Sequence, residues 1–175
     1  VIAFPISIYL SEIIVKDESL TKYLENIEKE ANRILLLLDD MLKLSKLENE
    51  KEILSNKINL FDITEEVINE LELLKLSKNI EIMVEGSANI FGEKEHFFEL
   101  IKNLVENAIK YNIDNGFVRV ILKETEEIVS IEVEDNGIGI DPKDQNRIFE
   151  RFYRVNKSRS RNTGGTGLGL SIVKH

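Results

Sequence analysis

Cysteine and tryptophan are absent from this chain of 175 residues, and it holds only two prolines and two histidines. Without cysteine there is no disulfide framework and no thiolate metal site. His96 and His175 alone cannot build a histidine-rich metal centre. No apolar run reaches the roughly 18 residues that would mark a membrane span, and no secretory leader pattern is visible. Basic residues are in the minority, 23 Lys and Arg against 32 Asp and Glu, for a net charge of −9. So acidic a chain is a poor non-specific binder of nucleic acid or anionic membrane, and no nucleic-acid partner is expected.

What is present is enough apolar side chain, 42% of residues, for a real core. The length suits one full domain plus a smaller piece. The chain starts on Val1 and stops within an apolar pattern at Leu170–His175, so a fragment is expected. Charge is spread unevenly. Between Asp141 and Asn162 stand seven bases (Lys143, Arg147, Arg151, Arg154, Lys157, Arg159, Arg161) against three acids (Asp141, Asp144, Glu150). A local net charge of 7 − 3 = +4 on an acidic body points to a small anionic ligand or an acidic partner; a solvated polar loop is the plainer alternative.

Residues 1–15 are apolar and read as helical after Pro5, with a polar turn at Lys16–Ser19. From Leu20 to about Lys51, Leu24, Ile27, Ala31, Ile34, Leu38, Met41 and Ser45 recur at alternating steps of three and four, with Leu35 and Leu42 widening the stripe. That is a heptad seam. Such a helix must bury its stripe on other helices; a helical hairpin pairing with a second copy into a four-helix bundle is expected, an intrachain pair being the alternative. The pattern breaks in the polar stretch Glu48–Asn56, which places a hairpin at 1–52 and a second domain at 53–175.

In that domain the periodicity predicts strands at Ile58–Phe61, Asn79–Glu85, Gly116–Lys123 and Ile128–Glu134, and helices at Ile63–Leu76, Lys94–Tyr111, Lys143–Phe149 and from Leu168 onward. Helices and an open sheet in one unit imply an α+β fold, a two-layer α/β sandwich.

Four segments carry chemistry. Asp135-Asn136-Gly137-Ile138-Gly139-Ile140 follows a strand directly. Its glycines let backbone approach a ligand, and an acid at a strand end can accept from an exocyclic amine; an ordinary Asn-Gly turn is the alternative. Thr163-Gly164-Gly165-Thr166-Gly167-Leu168-Gly169-Leu170 leads into an apolar helix, whose first N–H groups suit an anion; a flexible linker is the alternative. Its spacing fits neither the P-loop nor the dinucleotide fingerprint. On the long helix, Asn103 and Asn107 share a face, with Lys110 and Tyr111 two turns along. Two amide oxygens can help hold Mg²⁺, Lys110 can reach phosphate and Tyr111 can lie on a base; a plain polar face explains the same residues. Last, Phe149-Glu150-Arg151-Phe152-Tyr153-Arg154 sets aromatics between arginines, either as packing or as the anchor of a flap.

Together and in this order these segments resemble the N, G1, F and G2 boxes of histidine-kinase ATPase domains, the Bergerat-type ATP fold, over about residues 57–175. The helix before them resembles the second helix of that family's dimerisation and phosphotransfer hairpin. The resemblance implies ATP and Mg²⁺ as cofactors. Asn107, with Asn103, would ligate Mg²⁺; Lys110 would contact phosphate; Tyr111 would stack near adenine; Asp135 would accept from the adenine amine. Gly137, Gly139 and Ile140 would shape that pocket. Residues 141–165 would form a lid in which Arg154, then Arg151, meets the γ-phosphate. Gly165, Thr166, Gly167, Leu168 and Gly169 would line the phosphates. The resemblance further implies a homodimer, phosphoryl transfer to a histidine and then to a response regulator aspartate, and a cytoplasmic domain of a membrane-anchored bacterial sensor.

One part departs from the family. Its acceptor box is H-E-[LI]-[KR]-T-P; with that proline set on Pro5, the histidine falls one residue before Val1, and Val1-Ile2-Ala3-Phe4 does not match the residues between. No autophosphorylation by this chain is expected, whereas ATP binding should survive. An ATP-gated dimerisation module without phosphotransfer is the alternative. Gyrase- or chaperone-type ATPases carry a general-base Glu where Asn103 stands, and anti-sigma serine kinases usually lack the hairpin.

Overall fold

The computed structural model describes residues 18–49, 56–155 and 166–174. The expected first helix with Pro5, the expected boundary near residue 52, and Lys157, Arg159, Arg161, Gly164, Gly165 and His175 lie outside the described residues. The chain divides into two compact units at Asp39/Asp40.

The heptad segment forms one helix, α1 (Glu18–Asn49), whose residues up to Asp39 belong to the first unit. Its seam is left in water: Ile27 is 65% exposed and Leu35 63%. Among the described residues no helix is long and apolar enough to cross a membrane.

The second unit contains β1 (Lys57–Asn59), α2 (Leu60–Glu70), α3 (Glu72–Ser77), β2 (Glu81–Gly86), β3 (Asn89–Phe91), α4 (Lys94–Lys110), β4 (Phe117–Glu124), β5 (Val129–Asp135), α5 (Pro142–Gln145) and α6 (Gly169–Val173). The strand expected over Ile58–Phe61 stops at Asn59, whose side chain accepts from the Phe61 amide at 2.8 Å and starts a helix. The helix expected over Ile63–Leu76 is two helices, broken at Leu71, where the amide bonds back to Val67 O at 3.0 Å. Strand β3 pairs antiparallel with β1 and has no counterpart among the expected strands, since three residues are too few to show an alternation.

The main sheet has the order β2-β4-β5, with β2 parallel to β4 and β4 antiparallel to β5. A parallel pair needs a crossover, and α4 provides it. Strand β4 alternates cleanly: Val118, Val120 and Leu122 are buried, while Arg119 and Lys123 pair with Glu134 and Glu132 on the other face. Helices α2 and α4 cover the apolar face, with Leu60, Ile63 and Val67 from one and Ile101, Val105 and Ile109 from the other completing the core. This is the two-layer α+β sandwich expected. It sinks one face of α4 and turns the opposite face, with Asn103, Asn107 and Lys110, outward beside the end of β5.

Candidate functional site

The two amides of α4 face different surroundings. Asn103 donates through Nδ2 to Glu99 O at 2.8 Å, and its Oδ1 lies so close to Gly169 that a Cβ there would stand 2.4 Å from it. Asn103 thus seats the start of α6 on α4. The half-buried Asn107 amide makes no hydrogen bond to a described residue. Lys110 turns back along its helix to Glu106, Nζ to Oε1 2.8 Å. Tyr111 caps the end of the helix and is 41% exposed.

The Asp135 turn docks on that helix end. Asp135 Oδ1 accepts from the Gly137 amide at 2.8 Å, Asn136 Oδ1 accepts from the Phe117 amide at 2.7 Å, and the Ile138 amide donates to Tyr111 O at 3.1 Å. A Cβ on Gly137 would stand 2.4 Å from Tyr111 O and 2.8 Å from Asn112 Cα, so only glycine allows this approach. Gly139, at φ +66°, borders open space instead, with nothing within 4 Å of an added Cβ. Ile140 beside it is partly exposed.

The cationic segment begins with a helix shorter than expected, Pro142–Gln145 rather than Lys143–Phe149. Asp141 caps it, accepting from the Lys143 amide at 3.1 Å. The Lys143 ammonium, with the same residue's amide, holds the Asp141 carboxyl below the ordinary range. Tyr153 donates to Asp144 at 2.6 Å, and Arg147 lies 4.2 Å over its ring. That hydrogen bond first, then burial, raises the Tyr153 hydroxyl above the usual tyrosine range. The Asp144–Tyr153 bond is not legible in the sequence; an acid nine residues before a tyrosine is no recognisable signal. Phe152 adopts φ +64°, rare for a side chain of this size, and donates its amide to Gly167 O at 2.9 Å. That bond ties the middle of the cationic segment to the glycine turn that leads into α6. Arg151 is exposed and Arg154 half-buried. Thr166 donates to Asp40 Oδ2 at 2.6 Å and accepts from the Leu168 amide at 3.3 Å. Leu168 is buried, and Gly169 opens α6.

Helix α4 is the common support. One glycine turn meets it at Tyr111 and the other at Asn103, eight residues or about 12 Å along the axis. An elongated ligand with a hydrogen-bonding ring at one end and anionic groups at the other suits that arrangement. Among the described residues no three His, Cys, Asp or Glu side chains gather to hold a metal.

Residues 92–175 match the family described as histidine kinase-, DNA gyrase B- and HSP90-like ATPase. Over 155 residues, 86% of the chain, it is 38% identical to the sensor histidine kinase RppB of a Synechocystis species, covering 34% of that protein. It is 39% identical to the phosphate regulon sensor protein PhoR of Pseudomonas aeruginosa, covering 87% of this chain and 35% of that one. The solved structure of the mycobacterial sensor histidine kinase MprB superposes with a TM-score of 0.56 at 26% identity, over 68% of this chain and 75% of that one. The chain spans about a third of the length of the curated relatives it matches. It belongs to the sensor histidine kinases and carries their nucleotide-binding domain of the gyrase- and HSP90-like type.

Proposed function

We propose that this chain is the ATP-binding catalytic core of a two-component sensor kinase, which passes the γ-phosphoryl group of ATP to a histidine and from there to a response regulator aspartate. The observation that carries the reading is the convergence of two glycine turns on the open face of α4, one at each end of Asn103–Tyr111. Asp135 accepts from the adenine amine, and the exposed Tyr111 ring lies along the base. Gly137 lets the turn pack against α4, and Gly139 leaves the open side clear for the ligand, with Ile140 at its edge. The Asn107 amide, with Asn103 behind it, would hold Mg²⁺, a hard cation that takes oxygen ligands. Lys110 exchanges its Glu106 partner for phosphate, and Arg154 and Arg151 bring positive charge from the lid. The backbone N–H groups of Gly167 and Gly169 serve the phosphates, with Thr166 and Leu168 on either side of Gly167. When bound, Mg²⁺ neutralises charge on the phosphates; positioning and charge neutralisation supply most of the catalysis of such a transfer.

The test is calorimetry with ATP and Mg²⁺: one site per chain is expected, and Asn107→Ala should remove most of the Mg²⁺ dependence. No heat and no protection from folded protein would end the reading. The 175-residue chain incubated with ATP should form no acid-labile phosphohistidine, because His96 stands in the first turn of α4 and not on a paired hairpin helix. Acid-labile label on this chain would overturn that expectation. The exposed seam of α1 supports a homodimer built through the hairpin. In the longer protein the domain works on the cytoplasmic side of a membrane-anchored sensor.

A further inference from the structure

Lys78 lies outside every segment so far given a role. It caps the C-terminus of α3, and its half-buried ammonium reaches across to the far end of α4, Nζ to Lys110 O 2.6 Å and to Asn112 O 3.0 Å. These two carbonyls flank Tyr111, whose own carbonyl receives the Ile138 amide from the Asp135 turn. The same contact zone is tied twice more. Lys78 O accepts from the Asn115 amide at 2.9 Å, and Asn79 Nδ2 donates to Asn115 Oδ1 at 2.7 Å. A helix C-terminus carries partial negative charge on carbonyls without intrahelical partners, which a cation satisfies well. Charge-assisted bonds to Lys110 O and Asn112 O hold the peptide plane before Tyr111 and the one after Asn112, and so bracket the plane that carries Tyr111 O.

We infer that Lys78 is a positioning residue of the nucleotide site: it sets the backbone at Tyr111 against which the Asp135 turn is registered, and so the adenine end of the pocket, without touching the ligand. The inference rests on the nucleotide reading above. Lys78 acts through Lys110 O and Asn112 O on Tyr111, and through Tyr111 O on Ile138. Displacing a binding group by about an ångström is enough to weaken a site severely even when the altered residue is remote.

The test replaces Lys78 with Met, which keeps the stem and removes the charge, in the full 175-residue chain. Two quantities are read: ATP·Mg²⁺ affinity by calorimetry, and the Ile138 amide resonance by NMR without nucleotide. Affinity should fall by about tenfold, and the Ile138 resonance should move. Affinity within twofold of the parent, or a loss of affinity with the Ile138 amide unmoved, overturns the inference. Should Lys78→Met fail to fold, Lys78→Gln, which is uncharged and about an ångström shorter so that it cannot hold both carbonyls, is put through the same two measurements, and the same two results overturn the inference. A parent chain that takes up no ATP refutes the nucleotide reading itself, a result distinct from a parent that binds and a variant that binds equally well.

Discussion

Asp135→Asn should abolish measurable ATP binding while the chain stays folded. The substitution separates the two duties of this side chain. Asp135 Oδ1 accepts from the Gly137 amide at 2.8 Å, and an asparagine oxygen can accept the same bond, so the turn keeps its shape. The other end of the side chain changes from an acceptor to an NH2 donor. Facing the adenine amine, a donor meets a donor, and the bond is replaced by an unpaired polar contact. A bond to a charged group contributes about 1.5–3 kcal/mol, and leaving its partner unsatisfied costs a similar amount. Together about 3 kcal/mol corresponds to roughly a hundredfold in affinity. Alanine would be a worse probe, because it also removes the bond to Gly137. Calorimetry reads the binding and a thermal melt reads the fold. An unchanged melt with ATP affinity within threefold of the parent would remove Asp135 from the adenine site.

The parts of this fold legible in the sequence are those fixed by a long period. Helix α1 follows from seven residues stepping by three and four, and β4 from Val118, Val120 and Leu122 set two apart. The open face of α4 follows from Asn103 and Asn107 being four apart opposite Ile101, Val105 and Ala108. What was not legible depends on contacts distant in sequence. The break at Leu71 carries no proline or glycine to announce it. Strand β3 exists because β1 lies beside it. Lys78 reads as one more surface lysine until α4 ends against it, 32 residues later. The positive φ of Phe152 is set by its bond to Gly167, across a segment whose length says nothing of where its ends meet. In the same way glycine at 169 suggests phosphate-loop flexibility, whereas its nearest demand is room for the Asn103 oxygen.

The candidate site inherits its order from this division. Residue types that contact a ligand stand in recognisable strings, because backbone near a ligand must be bare and amide spacing on a helix is fixed. Residues that hold those strings against one another, such as Asn136 on the Phe117 amide and Lys78 on the end of α4, are scattered along the chain. A variant of the second kind should therefore disturb binding with no motif residue altered.

Gly137→Ala puts that coupling to its most severe trial. The added Cβ would lie 2.4 Å from Tyr111 O, 2.8 Å from Asn112 Cα and 2.8 Å from Asp135 Oδ1. Two of these are backbone atoms at the end of a helix packed into the core, so neither can yield cheaply. The turn must instead lift away from α4 and break the 3.1 Å bond from Ile138 to Tyr111 O. Overpacking of this kind costs about 1–3 kcal/mol, which for a chain of this size lowers the melting temperature by roughly 3–10 °C. Binding should suffer more than stability, since Asp135 and Tyr111 would no longer face one ligand; a loss beyond roughly thirtyfold, about 2 kcal/mol, is expected. Gly139→Ala is the control two residues away. There φ is +66° and the new Cβ meets no protein atom within 4 Å, so the cost is backbone strain of about 1 kcal/mol with the Tyr111 contact kept. The two alanines should therefore separate, Gly137→Ala losing both heat stability and ATP and Gly139→Ala losing much less of each. Parent-like ATP affinity in Gly137→Ala, or a lower melting temperature for Gly139→Ala than for Gly137→Ala, would mean that the turn and the helix end do not share one ligand.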